Sequence, residues 1–141
     1  MPLPPLPSRM VIPQAQLKAN APKVLLVDDH EQNLELLDAY LEELNVATST
    51  AKDGVDALRQ IQAQKPDLIL LDVMMPRMSG FQLAQKLKAD AGLKDIPIIM
   101  VTALGEESDV ERARDLGIGD FVTKPVNKVD LLNRVRAHLN K

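Results

Sequence analysis

The chain has 141 residues, 45% of them hydrophobic and 26% charged, with a net charge of -3, which suits one soluble domain with a single core. It has no cysteine, two histidines, no tryptophan, one tyrosine and two phenylalanines. That excludes a disulfide framework, a zinc–thiolate site and a cysteine nucleophile, and it disfavours a His-rich metal centre, a stacked flavin or an aromatic nucleic-acid platform. No apolar run approaches the roughly 20 residues that a membrane helix needs. The opening MPLPPLP lacks the basic start and unbroken apolar stretch of a secretory signal, so the expected location is the cytoplasm.

Six of the ten prolines fall in residues 1–22, with Arg9, Lys18 and no acid. A helix cannot run through Pro2, Pro4, Pro5, Pro7 and Pro13, so this segment reads as an extended, mostly disordered arm; its PxxP spacings are a weak signal for an aromatic-lined groove. From Lys23 onward there are 20 acids against 15 bases, and residues 23–141 read as one domain.

Within it, Val24–Val27 predicts a first strand, and Leu34, Leu37, Leu41 and Leu44 fall at helical spacing. Val46–Thr50 is more polar and suits an edge strand, followed by a helix on Val55, Leu58 and Ile61. Leu68–Leu71 and Ile98–Val101 are uninterrupted apolar runs, as expected of parallel strands buried on both faces. A helix on Phe81, Ala84 and Leu87 lies between them. A fourth helix carries Arg112 and Arg114, Asp120–Thr123 is a short fifth strand, and the last helix carries Val129, Leu132, Val135 and Leu139. Asp29 with Gln32, Asp53 with Asp56, Ser79 with Gln82 and Asn127 with Asp130 each place a capping acceptor three residues before a second polar side chain. Five strands alternating with five helices predict an α/β fold, a doubly wound (βα)5 sandwich with helices on both sides of a parallel five-stranded sheet.

Ligands of an open parallel sheet bind at the carboxyl ends of its strands, where the strand order reverses. There the sequence places Asp28-Asp29, Asp72, Thr102, and Thr123 followed by Lys124-Pro125. Two like charges about 5 Å apart at an effective dielectric of about 20 repel by roughly 3 kcal/mol. Three carboxylates make three such pairs, a sum comparable with a domain's whole stability of about 5–15 kcal/mol. Either one of them keeps its proton or a cation sits among them. An all-oxygen donor set favours a hard ion such as Mg2+, with Mn2+ as the other candidate.

These residues closely resemble the receiver domain of two-component response regulators. The match is carried by Asp28-Asp29, by Asp72-Val-Met-Met-Pro-Arg-Met-Ser-Gly80, by Thr102-Ala103 and by Lys124-Pro125, over about residues 23–140. The resemblance implies that Asp72 is the phosphoacceptor, that Asp29, Asp72 and the backbone carbonyl of Met74 hold Mg2+ with Asp28 supporting it, and that Lys124 and Thr102 contact the phosphoryl oxygens. It implies a flavodoxin-like sheet in the order 2-1-3-4-5, that Thr102 and Phe121 form a switch read on the face of the fourth helix, fifth strand and fifth helix, and that the Lys124-Pro125 peptide is cis. The implied partners are a sensor histidine kinase or phosphotransfer protein, a downstream effector or output domain (diguanylate cyclase, kinase or DNA-binding), and a second copy through that same face. No membrane and no direct nucleic-acid contact is expected.

Phe121 stands where many relatives have Tyr and Ser79 where they often have Asp. Met74 and Leu104 cannot orient an attacking water, which predicts slow loss of the phosphoryl group. His30 reads as a solvated side chain in a first helical turn, His138, Arg134 and Arg136 as cations that suit the end of the last helix, and Arg112 and Arg114 as a solvated face. Gly117 and Gly119 read as helix-end and loop residues. A magnesium-dependent phosphohydrolase with an Asp nucleophile is the competing enzyme reading; it needs a second acid two residues after the nucleophile, where Met74 stands.

Overall fold

A computed structural model describes residues 21–75, 78–103 and 107–139. The proline-rich arm, apart from Ala21 and Pro22, and Leu104 lie outside the described residues. In chain order the elements are β1 (Lys23–Val27), α1 (Glu31–Leu41), β2 (Ala47–Ala51), α2 (Gly54–Ala63), β3 (Leu68–Asp72), α3 (Gly80–Ala89), β4 (Ile98–Ala103), α4 (Glu107–Asp115), β5 (Phe121–Lys124) and α5 (Lys128–Leu139). The five strands form one parallel sheet, as the alternation of runs and helical periods implied, in the order β2-β1-β3-β4-β5 that the resemblance implied.

Because side chains alternate across a strand, each central strand feeds two cores. Leu25 and Val27 of β1, with Ile69 and Leu71 of β3, pack with Ala57, Ile61, Phe81, Leu83, Leu87 and Ala113 from α2, α3 and α4. Val24, Leu26, Leu68 and Leu70 pack on the opposite side with Leu34, Leu37, Leu41, Leu131, Leu132 and Val135 from α1 and α5. Burying each such aliphatic side chain contributes about 1.5–3 kcal/mol. Helices on both faces are therefore what make the unbroken runs of β1 and β3 tolerable. β2, at the edge, keeps Ser49 and Thr50 exposed.

Three of the four expected caps form: Asp53 accepts from the Asp56 amide, Ser79 and Gln82 make a reciprocal capping box, and Asn127 accepts from the Asp130 amide at 2.9 Å. The fourth does not. α1 starts one residue later than an Asp29 cap requires, with His30 at the N-cap and no side-chain cap, because residues 28–30 are committed to the turn described below. Val55 and Val129, counted on the buried stripes of their helices, are instead 64% and 67% exposed. The stripe of α2 runs through Ala57 and Ile61, and that of α5 through Leu131, Leu132 and Val135. Gly117, at φ +86, ends α4 in a left-handed turn, with Ile118 donating to the Ala113 carbonyl and Gly117 to that of Arg114.

Candidate functional site

Parallel topology brings the carboxyl ends of β1, β3, β4 and β5 to one edge of the sheet. Asp28, one residue past β1, is buried, and both of its oxygens are occupied: the His30 amide donates to Oδ1 at 2.9 Å and the Asn33 side-chain amide to Oδ2 at 3.1 Å. Asp72 closes β3 and is 2% exposed. The ammonium of Lys124, last residue of β5, lies 3.0 Å from Asp72 Oδ1 and 3.8 Å from Asp28 Oδ2. A cation thus does stand among the acids, supplied by the chain itself.

The remaining oxygens tell against Lys124 being enough. Asp72 Oδ2 and Asp29 Oδ1 are buried and accept no hydrogen bond. Burial pushes the Asp72 carboxyl up to about 6 from an ordinary 3.8; the hydrogen bond and charge of Lys124 pull it down, while the charges of Asp28 and Asp29 push it up. A group poised there is ionised at neutral pH at a cost that a further cation would relieve. Unpartnered carboxylate oxygens with no thiolate nearby are the donors a hard divalent ion takes, so the residues present fit such an ion.

The ring of His30, treated as solvated in the sequence reading, is 67% exposed, yet Nδ1 lies 3.4 Å from Asp28 Oδ1 and 3.2 Å from Asp29 Oδ1. Among the described residues Asp28, Asp29 and His30 are the set whose ligand atoms all lie within 4.8 Å of one another. Asn33 was not anticipated at all. Its signal was only its place one turn into α1, three residues after His30.

Thr102 on β4 is buried, and its hydroxyl makes only a long 3.4 Å contact to the Ala103 carbonyl. It is paired in register with Thr123, as Ala103 is with Lys124. Phe121 lies half-buried at the other end of β5, packed against the core on the α2–α3–α4 side, with the Arg114 guanidinium 5.7 Å from its ring centre. Met74 is 70% exposed. The Lys124–Pro125 bond is cis. Gly80 fixes the start of α3 against the site: a Cβ there would come 2.3 Å from the Asp72 carbonyl oxygen and 3.0 Å from Val73 Cα, so only glycine lets the helix approach the acid-bearing strand.

The family model for the response regulator receiver domain matches residues 24–136. Response regulator PleD of Caulobacter vibrioides is 44% identical over 115 residues, covering 82% of this chain and 25% of PleD. A putative response regulator of Chloroflexus aurantiacus superimposes with a TM-score of 0.82 at 30% identity, covering 86% of this chain and 99% of that one. The receiver domain of the Pseudomonas aeruginosa sensor histidine kinase PA1611, whose structure has a magnesium ion coordinated in its active-site cleft, superimposes at 0.78 with 26% identity, covering 86% and 99%. The chain spans from a quarter to about half the length of the curated relatives it matches. Among the described residues no helix is long and apolar enough to cross a membrane.

Proposed function

Since the chain belongs to the receiver-domain family of two-component response regulators, we propose that it is a phosphorylation-controlled switch that accepts a phosphoryl group on Asp72 from a sensor histidine kinase or phosphotransfer protein in the cytoplasm. The observation that carries this reading is a buried carboxylate with one oxygen held by an ammonium at 3.0 Å and the other without a partner.

In the proposed reaction Asp72 attacks the phosphorus of a phosphohistidine. The new P–O bond forms as the P–N bond breaks, and the electron pair stays on the donor's imidazole. Asp29 and Asp72, with the Met74 carbonyl, would hold Mg2+, and Asp28 would support it; bound there, the ion supplies charge neutralisation for the incoming phosphoryl oxygens. Lys124 already touches the nucleophile and moves only a little to take one such oxygen as a point charge. Asn33 and the His30 amide keep Asp28 fixed while this happens. Thr102, whose hydroxyl has only a poor acceptor, is free to turn to a phosphoryl oxygen. Catalysis is then positioning and electrostatics.

The aspartyl phosphate is read, on this proposal, through Thr102, Phe121 and the face of α4, β5 and α5, by an effector, an output domain or a second copy. The chemistry is stoichiometric, and loss of the group is slow because no polar side chain stands at position 74. The phosphohydrolase reading is weaker for the same reason: Met74 offers no acid for turnover.

Incubation with acetyl phosphate and Mg2+ tests this. The wild type gains the mass of one phosphoryl group, labile to base; Asp72→Ala gains none, and Lys124→Ala gains it at least tenfold more slowly. Equal uptake in Asp72→Ala, or catalytic release of phosphate from a phosphomonoester, would overturn the reading.

A further inference from the structure

We propose that the His30 imidazole is itself a ligand of the divalent-cation site, adding a nitrogen donor beside the carboxylates of Asp28 and Asp29 and giving the site a preference for a first-row transition ion such as Mn2+ over Mg2+. The inference rests on the reading of these carboxylates as a cation site and adds to it a donor and a choice of ion.

The helix does not explain why histidine stands at this position. An N-cap is best filled by Ser, Thr, Asp or Asn, whose side chains accept a backbone amide of the first turn. His30 occupies that place with an extended backbone (φ -100, ψ 114) and makes no cap hydrogen bond. Its own backbone amide is bound instead to Asp28 Oδ1 at 2.9 Å. That bond folds the turn back and carries the ring over both carboxylates.

The resulting distances suit neighbouring ligands of one ion. Nδ1 is 3.2 Å from Asp29 Oδ1 and 3.4 Å from Asp28 Oδ1, and Asp29 Oδ1 accepts no hydrogen bond from it. Two donors at right angles around an ion, each at about 2.1–2.3 Å, lie about 3.0–3.3 Å apart. The three candidate ligand atoms all fall within 4.8 Å of one another. At the end of the neighbouring strand β3, Asp72 is 2% exposed with Oδ2 buried and accepting no hydrogen bond. Asp29 Oδ1 and the His30 ring thus share the turn after β1, with Asp72 Oδ2 at the end of the adjacent strand.

The nitrogen donor is what separates the two ions. Oxygen ligands suit Mg2+ and Mn2+ alike, whereas an added imidazole favours a first-row transition ion over Mg2+, and Mn2+, the weakest binder of that series, is the most demanding probe of the effect. The ring's exposure helps here: it can turn to reach an ion without disturbing the core, and losing it should leave the fold intact.

The test uses the full, untagged chain stripped of metal, titrated calorimetrically with Mn2+ and with Mg2+, together with pulsed electron paramagnetic resonance of bound Mn2+. The wild type is expected to bind Mn2+ at least tenfold more tightly than Mg2+ and to show nitrogen hyperfine coupling to the bound ion. In His30→Gln the coupling disappears and Mn2+ binding weakens about tenfold, while Mg2+ binding changes less than twofold. Absence of nitrogen coupling in the wild type, or an Mn2+ to Mg2+ affinity ratio equal in the two proteins, overturns the inference. The wild-type spectrum decides even if the variant were to misfold. An Asp29→Ala control separates the two layers: if wild type and Asp29→Ala bind both ions equally, the carboxylate site itself is refuted, whereas carboxylate-dependent binding without nitrogen coupling refutes only the role of His30.

Discussion

Asp72 closes a strand whose other four residues are apolar and fully buried, and that neighbourhood makes its ionisation costly. Its folded-state pKa, about 6, lies above the ordinary 3.8. Below about pH 4 both folded and unfolded chains hold the proton and nothing is lost; as pH rises through 6 the native site must ionise and stability falls. The full shift corresponds to at most about 3 kcal/mol, and residual water together with loss of the Lys124 pair reduces the recoverable part to about 1–2 kcal/mol. Asp72→Asn is therefore expected to stabilise the metal-free fold by about that much at pH 7.5 and by almost nothing at pH 4. Urea midpoints at the two pH values in EDTA check this, and an equal gain at both would contradict it. At this scale the acids and Lys124 were legible, because a polar residue ending an apolar run has few structural reasons to be there. His30 and Asn33 were not. Their contacts depend on how one turn closes, and no spacing rule encodes that.

α4 is the least embedded helix: among its described residues only Ala113 is buried. Two cation–ring contacts supplement that hold, Arg112 at 4.4 Å over Phe81 of α3 and Arg114 at 5.7 Å over Phe121 of β5, so both phenylalanines of the chain lie under an arginine of this helix. Such contacts contribute about 0.5–1 kcal/mol each when partly exposed. Arg112→Ala and Arg114→Ala should each lower stability by that amount and raise amide exchange across α4, leaving α1 and α3 unchanged; hydrogen exchange read by mass spectrometry distinguishes this from a uniform loss. In the sequence these arginines read as a solvated face, since composition along one helix does not reveal an aromatic ring on another element. Buried parallel strands were legible from the runs at β1, β3 and β4, whereas their order was carried by the resemblance alone. Two helix faces were misread at Val55 and Val129 because a first-turn valine fits an apolar period by count, while the stripe that the sheet buries starts with Ala57 and Leu131.

For the molecule as a whole, the end of the sheet remote from the carboxylates has its own polar knot. Asp120 accepts the Phe121 amide at 3.0 Å, pairs with Arg134 and meets His138 Nε2 at 2.8 Å, and Arg134 also reaches Asp130 at 3.0 Å. This joins the start of β5 to the last turns of α5, where the sequence reading saw only cations suited to a helix end. Asp120→Ala leaves Arg134 and His138 without that partner and should cost about 1–3 kcal/mol, with α5 opening first; limited proteolysis and thermal unfolding check it, and an unchanged melting temperature with α5 still protected would count against it. β5 is therefore held at both ends by side-chain pairs: Lys124 with Asp28 and Asp72 at one, Asp120 with Arg134 and His138 at the other. Phe121, Val122 and Thr123 hang between like a string between two pegs. The cation that faces the acids thus rides on a strand moored from the opposite margin of the sheet by α5.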